Sequence, residues 1–426
     1  MNKPITSKRP RASIVSMMKD EGHSLLEWLA YHRHIGFDRV SVYTNNCNDG
    51  TDEMLIRLEE MGLAQHYRND VPEGKKPQPH ALGLATANPD ISDTDWLLVM
   101  DADEFISVKL KRGRIGDLID AIPKEVDGIA LTWRFFGSNN RIDWNPGLIT
   151  ESYTLAAPDK FRKGWGVKTM FKPFENMRLG IHRPHIKSRR TDPQMARILR
   201  DQTWVNGSGQ ELPKDFNLSG WRSTKPTLGY EWAEVNHYGV KSYEAYLLRR
   251  IRGNVNNKAD KYNAAYFSIF DRNEISATNV QRHLRGTKKA ISRWLEDPIL
   301  SKLQERALEY HRDRVEQLRG TPEYDAWLTE LHKASEVPIE RLDEVLFTQH
   351  LPSETQKKVQ ELQAAGVADR EIALMLTSVT ESRKAKRRAA MNSLAETACP
   401  RVDTSRDEEE EPALTRAPVS KNETNL

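Results

Sequence analysis

Cysteine is almost absent from this chain: Cys47 and Cys399 are the two in 426 residues. They lie far apart and at no metal-ligand spacing, so neither a disulfide framework nor a zinc site is indicated. That usage fits a reducing compartment. Long apolar runs are missing too; no window approaches the ~20 apolar residues of a membrane span. The opening stretch MNKPITSKRPRASIVSMMKDEG carries basic residues without an apolar h-region. No signal peptide is therefore expected, and a cytoplasmic location is the simplest reading. An excess of one charge is lacking as well. The formal net charge of +3 is too small to call for nucleic acid or acidic lipid as a partner. What remains, 38% hydrophobic and 29% charged residues, is an ordinary globular composition. The length suits one large domain with additions, or two domains.

SIVSMM (13–18) is a short apolar run that suits a buried parallel strand. The following KDEGHSLLEWLAYHRHIG spaces Leu25, Trp28, Leu29 and His32 for a helix and puts Gly36 at its C-cap. RVSVYTN (39–45) alternates as a second strand, and NCNDGTDEMLIRLEEMG is a turn and a helix stopping at Gly62. LAQHYRN reads as a third strand, and a helix over 78–87 precedes DWLLVM, the fourth. This alternation predicts an α/β fold: a Rossmann-like, mostly parallel sheet, doubly wound, with flanking helices. Ligands bind beyond the carboxyl ends of such strands. KDE, NNCNDGT, NDVPEGKKPQ and DADEF all follow strand ends and should converge on one rim.

From 133 to 238 the pattern is irregular and rich in aromatics and glycine, which predicts loops and short strands forming a substrate-facing wall. From Lys241 to about Thr348 it is helical, with Tyr243, Tyr246, Leu247, Arg250 and Ile251 on one face. Two short helices around Gly366 superficially resemble a helix-turn-helix. Without a clear recognition helix, and with acidic residues nearby, they read as a helical appendage and not as a DNA-binding unit. RKAKRR (383–388) and DEEEE (407–411) sit in apolar-poor sequence, expected to be a disordered charged tail. The expected organisation is a domain over 11–240, a helical extension over 241–348, a small helical segment over 349–380 and the tail over 381–426.

LLVMDADEF (97–105) runs four apolar residues into three carboxylates within four positions. Carboxylates that close repel one another unless something positive lies between them. In extended chain, residues two apart point to one side, so Asp101 and Asp103 can face one ion while Ala102 turns away. Carboxylate oxygens suit Mg²⁺ or Mn²⁺, and such sites leave positions for water and substrate phosphate. An ion there can bridge a diphosphate and stabilise it as a leaving group. Asp-x-Asp alone is common; its place directly after a buried strand is what points to a site.

MMKDEGHSLLEWLAYHRHIGFDRVSVYTNNCNDGTDEML resembles the opening of the family 2-like glycosyltransferases, which have the nucleotide-diphospho-sugar transferase fold of GT-A type. DWLLVMDADEF is similar to their strand and Asp-x-Asp motif. WRFFGSNN, VKTMF, GIHRPHIK and NHYGVKSYEAYLLRRIRG are similar to later blocks, so the resemblance spans 13–253. It implies a metal-dependent, inverting hexosyltransferase that uses Mn²⁺ or Mg²⁺. The donor would be a nucleotide-diphosphate sugar, UDP-sugar favoured, and the acceptor a glycan or lipid-linked molecule such as a surface polysaccharide precursor. By the same resemblance, Asp101 contacts ribose or metal and Asp103 the metal. Glu21, Asn45 and Asn46 line the nucleoside pocket, although many relatives carry Asp where Asn45 or Asn46 stands. Gln78 and His80 lie where relatives face the diphospho-sugar. His237 resembles the histidine that completes the metal site, with Lys241 placed for phosphate. His182 and His185 are rivals: His182 as the metal ligand, or either of them as a contact to the acceptor. Lys168 is a candidate to neutralise phosphate, or a solvated strand-edge charge. Asp49 reads as a turn residue ahead of the second helix.

Inverting transfer needs a carboxylate to take the acceptor's proton. Asp143 and Glu151, in RIDWNPGLITESY, and Glu234 are candidates that spacing does not separate. Among Trp133, Phe135, Phe136, Trp144 and Trp165, one or two would stack on a sugar ring. The helical segment after Lys241 is a candidate for docking a partner or a membrane surface. Two other classes compete with this chemistry. A sugar-nucleotide nucleotidyltransferase usually opens with a Gly-rich strand-to-helix loop, whereas KDEGHS has a single Gly. A non-catalytic carbohydrate- or nucleotide-binding protein of the same fold would not need an intact Asp-x-Asp.

Overall fold

The computed structural model describes residues 9–186, 193–252, 262–342 and 353–376. The charged tail expected beyond 381, and Cys399 within it, lie outside the described residues.

Strand β1 (Ala12–Met18) is hydrogen-bonded on both edges by parallel partners, β2 (Arg39–Thr44) and β4 (Trp96–Asp101), with β3 (Gln65–Arg68) beyond β2. A strand covered on both edges and both faces needs a near-continuous apolar run, which is why Ile14 and Val15 have no exposure. Helices α1 (Gly22–Ile35), α2 (Thr51–Glu60) and α3 (Pro77–Ala87) connect these strands, so the predicted alternation holds. Helix α1 closes where the sequence predicts. Gly36 takes φ +115°, its N–H donates to Arg33 O at 3.1 Å, and Phe37 N–H donates to His32 O at 3.1 Å. That left-handed closure is glycine's to make.

The sheet is larger than predicted and not uniformly parallel. It adds β5 (Glu104–Val108), β6 (Gly128–Phe135), β7 (Val167–Phe171), β8 (Trp204–Asn206) and β9 (Ala233–His237). The order is β3-β2-β1-β4-β7-β6-β9-β5, with β8 also beside β6. Strand β7 runs antiparallel between β4 and β6, and β5 runs antiparallel to β9. Strands β8 and β9 are parallel to β6. Strand β5 is the unforeseen element. The chain turns at Ala102–Asp103 and immediately becomes a strand at the far edge of the sheet. Glu104, its first residue, then stands opposite His237, the last residue of β9. This long-range register brings the histidine to the acidic motif.

The region after Lys241 is helical but broken, with Ile275–Ser276 forming a short antiparallel pair with Leu155–Ala156. Helices α4 (Tyr243–Arg252), α5 (Ala264–Phe270) and α6 (Pro298–Arg319) matter most for the site. Leu300 and Ala307 of α6 have no exposure and share one core cluster with Ile14, Leu25 and Met54. Helix α6 thus closes over α1 and α2 at the rim where β1 and β2 end. Helix Ser353–Ala364 and a turn at Gly366 (φ +81°) agree with the predicted pair of short helices. Among the described residues no helix is long and apolar enough to cross a membrane.

Candidate functional site

The predicted convergence of strand ends is present. One cleft is lined by Lys19, Asp20 and Glu21 after β1, Asn48 and Asp49 after β2, Asp103 after β4, and Gly239–Lys241 after β9. Arg249 and Arg252 of α4, with His311 and Arg314 of α6, form its opposite wall. The first turn of α3 reaches the motif through Gln78, whose Nε2 donates to Asp101 Oδ1 at 3.2 Å.

Asp49 is a turn residue, as expected, and it knits two helix starts. Its Oδ2 accepts from Gly22 N–H at 2.7 Å, and its Oδ1 accepts from Thr51 N–H at 3.0 Å and Thr51 Oγ1 at 2.6 Å. Thr51 Oγ1 in turn accepts from Glu21 N–H at 3.0 Å. A carboxylate at helix N-termini meets orphan donors and favourable dipoles together. Glu21 is thereby fixed at the cleft, where its Oε1 lies 3.4 Å from Arg252 Nη1.

Strand β4 ends at Asp101 and a turn follows, so extended-chain alternation does not reach Asp103. The two aspartates are held by different cations. Lys168 Nζ lies 3.0 Å from Asp101 Oδ2, and Arg249 Nη1 lies 2.9 Å from Asp103 Oδ2. Lys168 is fully buried in β7 and is not a solvated edge charge. Its second partner is Glu104, a residue the sequence reading passed over. Glu104 Oε2 lies 3.2 Å from Lys168 Nζ and accepts from Asp101 N–H at 2.9 Å, while Oε1 accepts from Trp133 Nε1 at 2.8 Å. Burial outweighs the pull of Lys168 and raises the Glu104 carboxyl to about 7. Burial presses the Lys168 ammonium down, yet Asp101 and Glu104 outweigh it and hold it above the usual lysine value. The signal for Glu104 was in the motif itself: a third carboxylate that begins an apolar run.

Asp103 is buried, which alone would raise its pKa, but Arg249 and His237 hold it well below the usual carboxylate range. His237 Nε2 lies 3.6 Å from Asp103 Oδ2, with its ring 5.0 Å from that of Trp133 and 5.5 Å from that of Phe270. Trp133 therefore links Glu104 to His237. His182 sits elsewhere in the cluster, its Nδ1 3.1 Å from Val167 O and its ring 5.2 Å from those of Trp133 and Trp221. Burial, with Lys168 adding to it, lowers His182 to about 4. His185 lies in a two-residue strand opposite Arg178.

No three histidine, cysteine or carboxylate groups close around one point among the described residues. Asp103 and His237 do converge, as an oxygen and an imidazole nitrogen. Mn²⁺ accepts that combination, and divalent ions commonly take few protein ligands with water and substrate phosphate completing the shell. The donor pair fits such an ion.

The other candidates fall as follows. Asn45 is buried at the end of β2, and Asn46 is exposed in the turn at φ +47°. His80 Nδ1 bonds to Asn69 Oδ1 at 2.7 Å, bracing α3 against the end of β3. Lys241, at φ +59°, lines the cleft. Asp143 is 80% exposed and paired with Arg319 at 3.2 Å, and Glu151 is paired with Lys288 at 2.6 Å. Glu234 is buried among Lys109 and Arg134, at 2.9 and 2.8 Å. None of these three carboxylates is among the described residues that line the cleft.

Residues 15–216 match the family model of Glycosyltransferase family 92. The span begins within β1, takes in the Asp-x-Asp turn and Lys168, and stops before His237 and Arg249. The resemblance is met at the level of a glycosyltransferase; the model that matches is that of family 92, and the narrower family 2-like likeness is not among these matches. A glycosyltransferase family 92 protein of Oryza sativa subsp. japonica is 23% identical over 168 residues, 38% of this chain and 28% of that protein. One of Ricinus communis is 27% identical over 101 residues, 23% of this chain and 17% of that protein. The chain thus matches about a quarter or less of the length of these relatives. Among solved structures, S. aureus TarS 1-349 in complex with UDP-GlcNAc superposes on 86% of this chain and 92% of its own at 13% identity, with a TM-score of 0.27. Glucosyl-3-phosphoglycerate synthase from Mycobacterium tuberculosis, in complex with Mn²⁺, UDP and glucosyl-3-phosphoglycerate, covers 29% of this chain and 44% of its own at 13% identity and a TM-score of 0.21. Superpositions that loose add nothing to the fold read from the chain's own sheet.

Proposed function

We propose that this chain is a GT-A-type glycosyltransferase that moves a sugar from a nucleotide-diphosphate donor, UDP-sugar favoured, to a glycan or lipid-linked acceptor with inversion. One observation carries the reading: Asp103, which faces His237 Nε2 at 3.6 Å, lines a cleft formed where β1, β2, β4 and β9 end, together with Lys19, Lys241, Arg249, Arg252 and Arg314. Five cations share that lining with the carboxylates of Asp20, Glu21, Asp49 and Asp103, and a strand-end cleft with such a cationic wall suits a diphosphate. Asp101, held by Lys168 and Gln78, stands ready for the ribose, and Glu21 with Asn45 and Asn46 borders the nucleoside. Lys241 faces the phosphates. Asp103 and His237 are the residues to hold Mn²⁺ or Mg²⁺, whose charge would stabilise the departing nucleoside diphosphate. Trp133, fixed by Glu104, keeps the His237 imidazole oriented toward Asp103.

Calorimetric titration of UDP and GDP, with and without Mn²⁺, tests this. The expected result is metal-dependent UDP binding that Asp103→Ala abolishes. Absence of binding to either nucleotide under any metal condition would leave a non-catalytic protein of the same fold as the better description.

A further inference from the structure

Arg249 occupies an oxygen that a nucleotide-sugar site would need. Its Nη1 lies 2.9 Å from Asp103 Oδ2, the oxygen that also faces His237 Nε2 at 3.6 Å. The guanidinium is incompletely satisfied. Nη1 also donates to Gly239 O at 2.7 Å, and the guanidinium is hydrogen-bonded to Tyr262, whose ring centre lies 4.6 Å away. Its Nε is buried without a hydrogen-bond partner among the described residues. Buried donors are normally met, so an unmet one beside a cleft marks a place for an acceptor oxygen. Arg252, one turn further along α4, is anchored instead to Lys19 O at 2.8 Å. Arg249 differs in that its carboxylate partner is the aspartate that the ion would require.

An ion bonded to Oδ2 at about 2.1 Å would press two positive charges together at a largely buried carboxylate. One of them has to leave. The side chain of Arg249 is long and flexible, and its cleft already carries Lys241 and Arg314 suited to an oxyanion.

We propose that Arg249 is an exchangeable counter-ion: it holds Asp103 while the cleft is empty and passes to the donor's diphosphate when a divalent cation takes Oδ2. The exchange presupposes the nucleotide-sugar site proposed above. It makes metal and nucleotide mutually reinforcing, because a diphosphate that draws the guanidinium away frees the carboxylate. A guanidinium also meets phosphate oxygens in a forked, charge-assisted geometry, which would satisfy the stranded Nε.

The test is calorimetry with MnCl₂ alone, then with UDP at saturating Mn²⁺, on the wild type and Arg249→Gln. Arg249→Gln should bind Mn²⁺ alone about tenfold more tightly, since no cation competes for Oδ2, and UDP about tenfold more weakly. Opposite signs for the two ligands are not what simple structural damage produces. Should Arg249→Gln fail to fold, Arg249→Met carries the same pair of expectations. If the wild type binds Mn²⁺ and UDP but the folded variant has unchanged Mn²⁺ affinity, the exchange is wrong and the nucleotide-sugar site stands. If the wild type binds neither, both fall together.

Discussion

Lys168 Nζ lies 3.2 Å from Glu104 Oε2, and neither side chain has any exposure to solvent. Two charges so placed are stable only with each other and with the further bonds that Asp101 and Trp133 supply. Removing one partner from a buried pair strands the other. Glu104→Gln should therefore lower unfolding free energy by about 3 kcal/mol in urea denaturation, with Lys168→Met at least as damaging. A loss below about 1 kcal/mol would mean that the charge of Glu104 does not hold the cluster together.

Acid should destabilise the chain above the range where carboxylates titrate. Burial lowers His32 and His311 from 6.5 to about 3, and His182 and His283 to about 4. For a base with a depressed folded pKa, the unfolded state binds more protons between the two values, so stability rises with pH there. It is lost as pH falls from 6.5 toward 4, by up to about 1.4 kcal/mol per pH unit for each histidine. His32, fully buried with Nδ1 bonded to Trp28 O at 2.8 Å, isolates one share. Urea midpoints at pH 7 and pH 5 should differ less in His32→Leu than in the wild type; equal differences would contradict the assignment.

Asp49→Ala removes acceptors from the first turns of α1 and α2 at once. Each lost cap costs about 1 kcal/mol, so a loss near 2 kcal/mol is expected in denaturant. The released α1 start should also loosen Glu21 and weaken UDP binding. Stability loss with unchanged UDP affinity would show that the helix ends do not position the nucleoside side of the cleft.

Much of this arrangement was legible because it is local. Gly36 closes α1 where a left-handed residue is needed, β-branched and apolar runs mark β1 and β2, and LLVMDADEF announces a strand that stops at acid. What escaped was long-range. EFISV follows the carboxylates without a turn signal, so β5 was not separated from the loop, and with it went the register that sets Glu104 against His237. Lys168 read as a possible edge charge because nothing near it in sequence says that β7 lies between β4 and β6. LLRRIRG offers three arginines, and only tertiary contacts distinguish them: Arg249 reaches Asp103, Arg250 reaches Glu330 at 2.9 Å, and Arg252 reaches the β1 loop. Asp143 and Glu151 looked like bases by residue type, but their charges face Arg319 and Lys288.

Lys241 should contribute to donor affinity without supporting the fold. It lines the cleft at the end of β9 and is partly exposed. Lys241→Met is expected to weaken UDP binding about tenfold, or 1.4 kcal/mol, with an unchanged thermal midpoint. Unchanged affinity in calorimetry would remove Lys241 from the phosphate side.

The most direct test of the account is release of nucleoside diphosphate from a panel of UDP- and GDP-sugars, measured with Mn²⁺ for the wild type and for Asp103→Asn. The account predicts slow metal-dependent release from at least one donor, accelerated by a glycan acceptor and lost in Asp103→Asn. Release that persists undiminished in Asp103→Asn would contradict it.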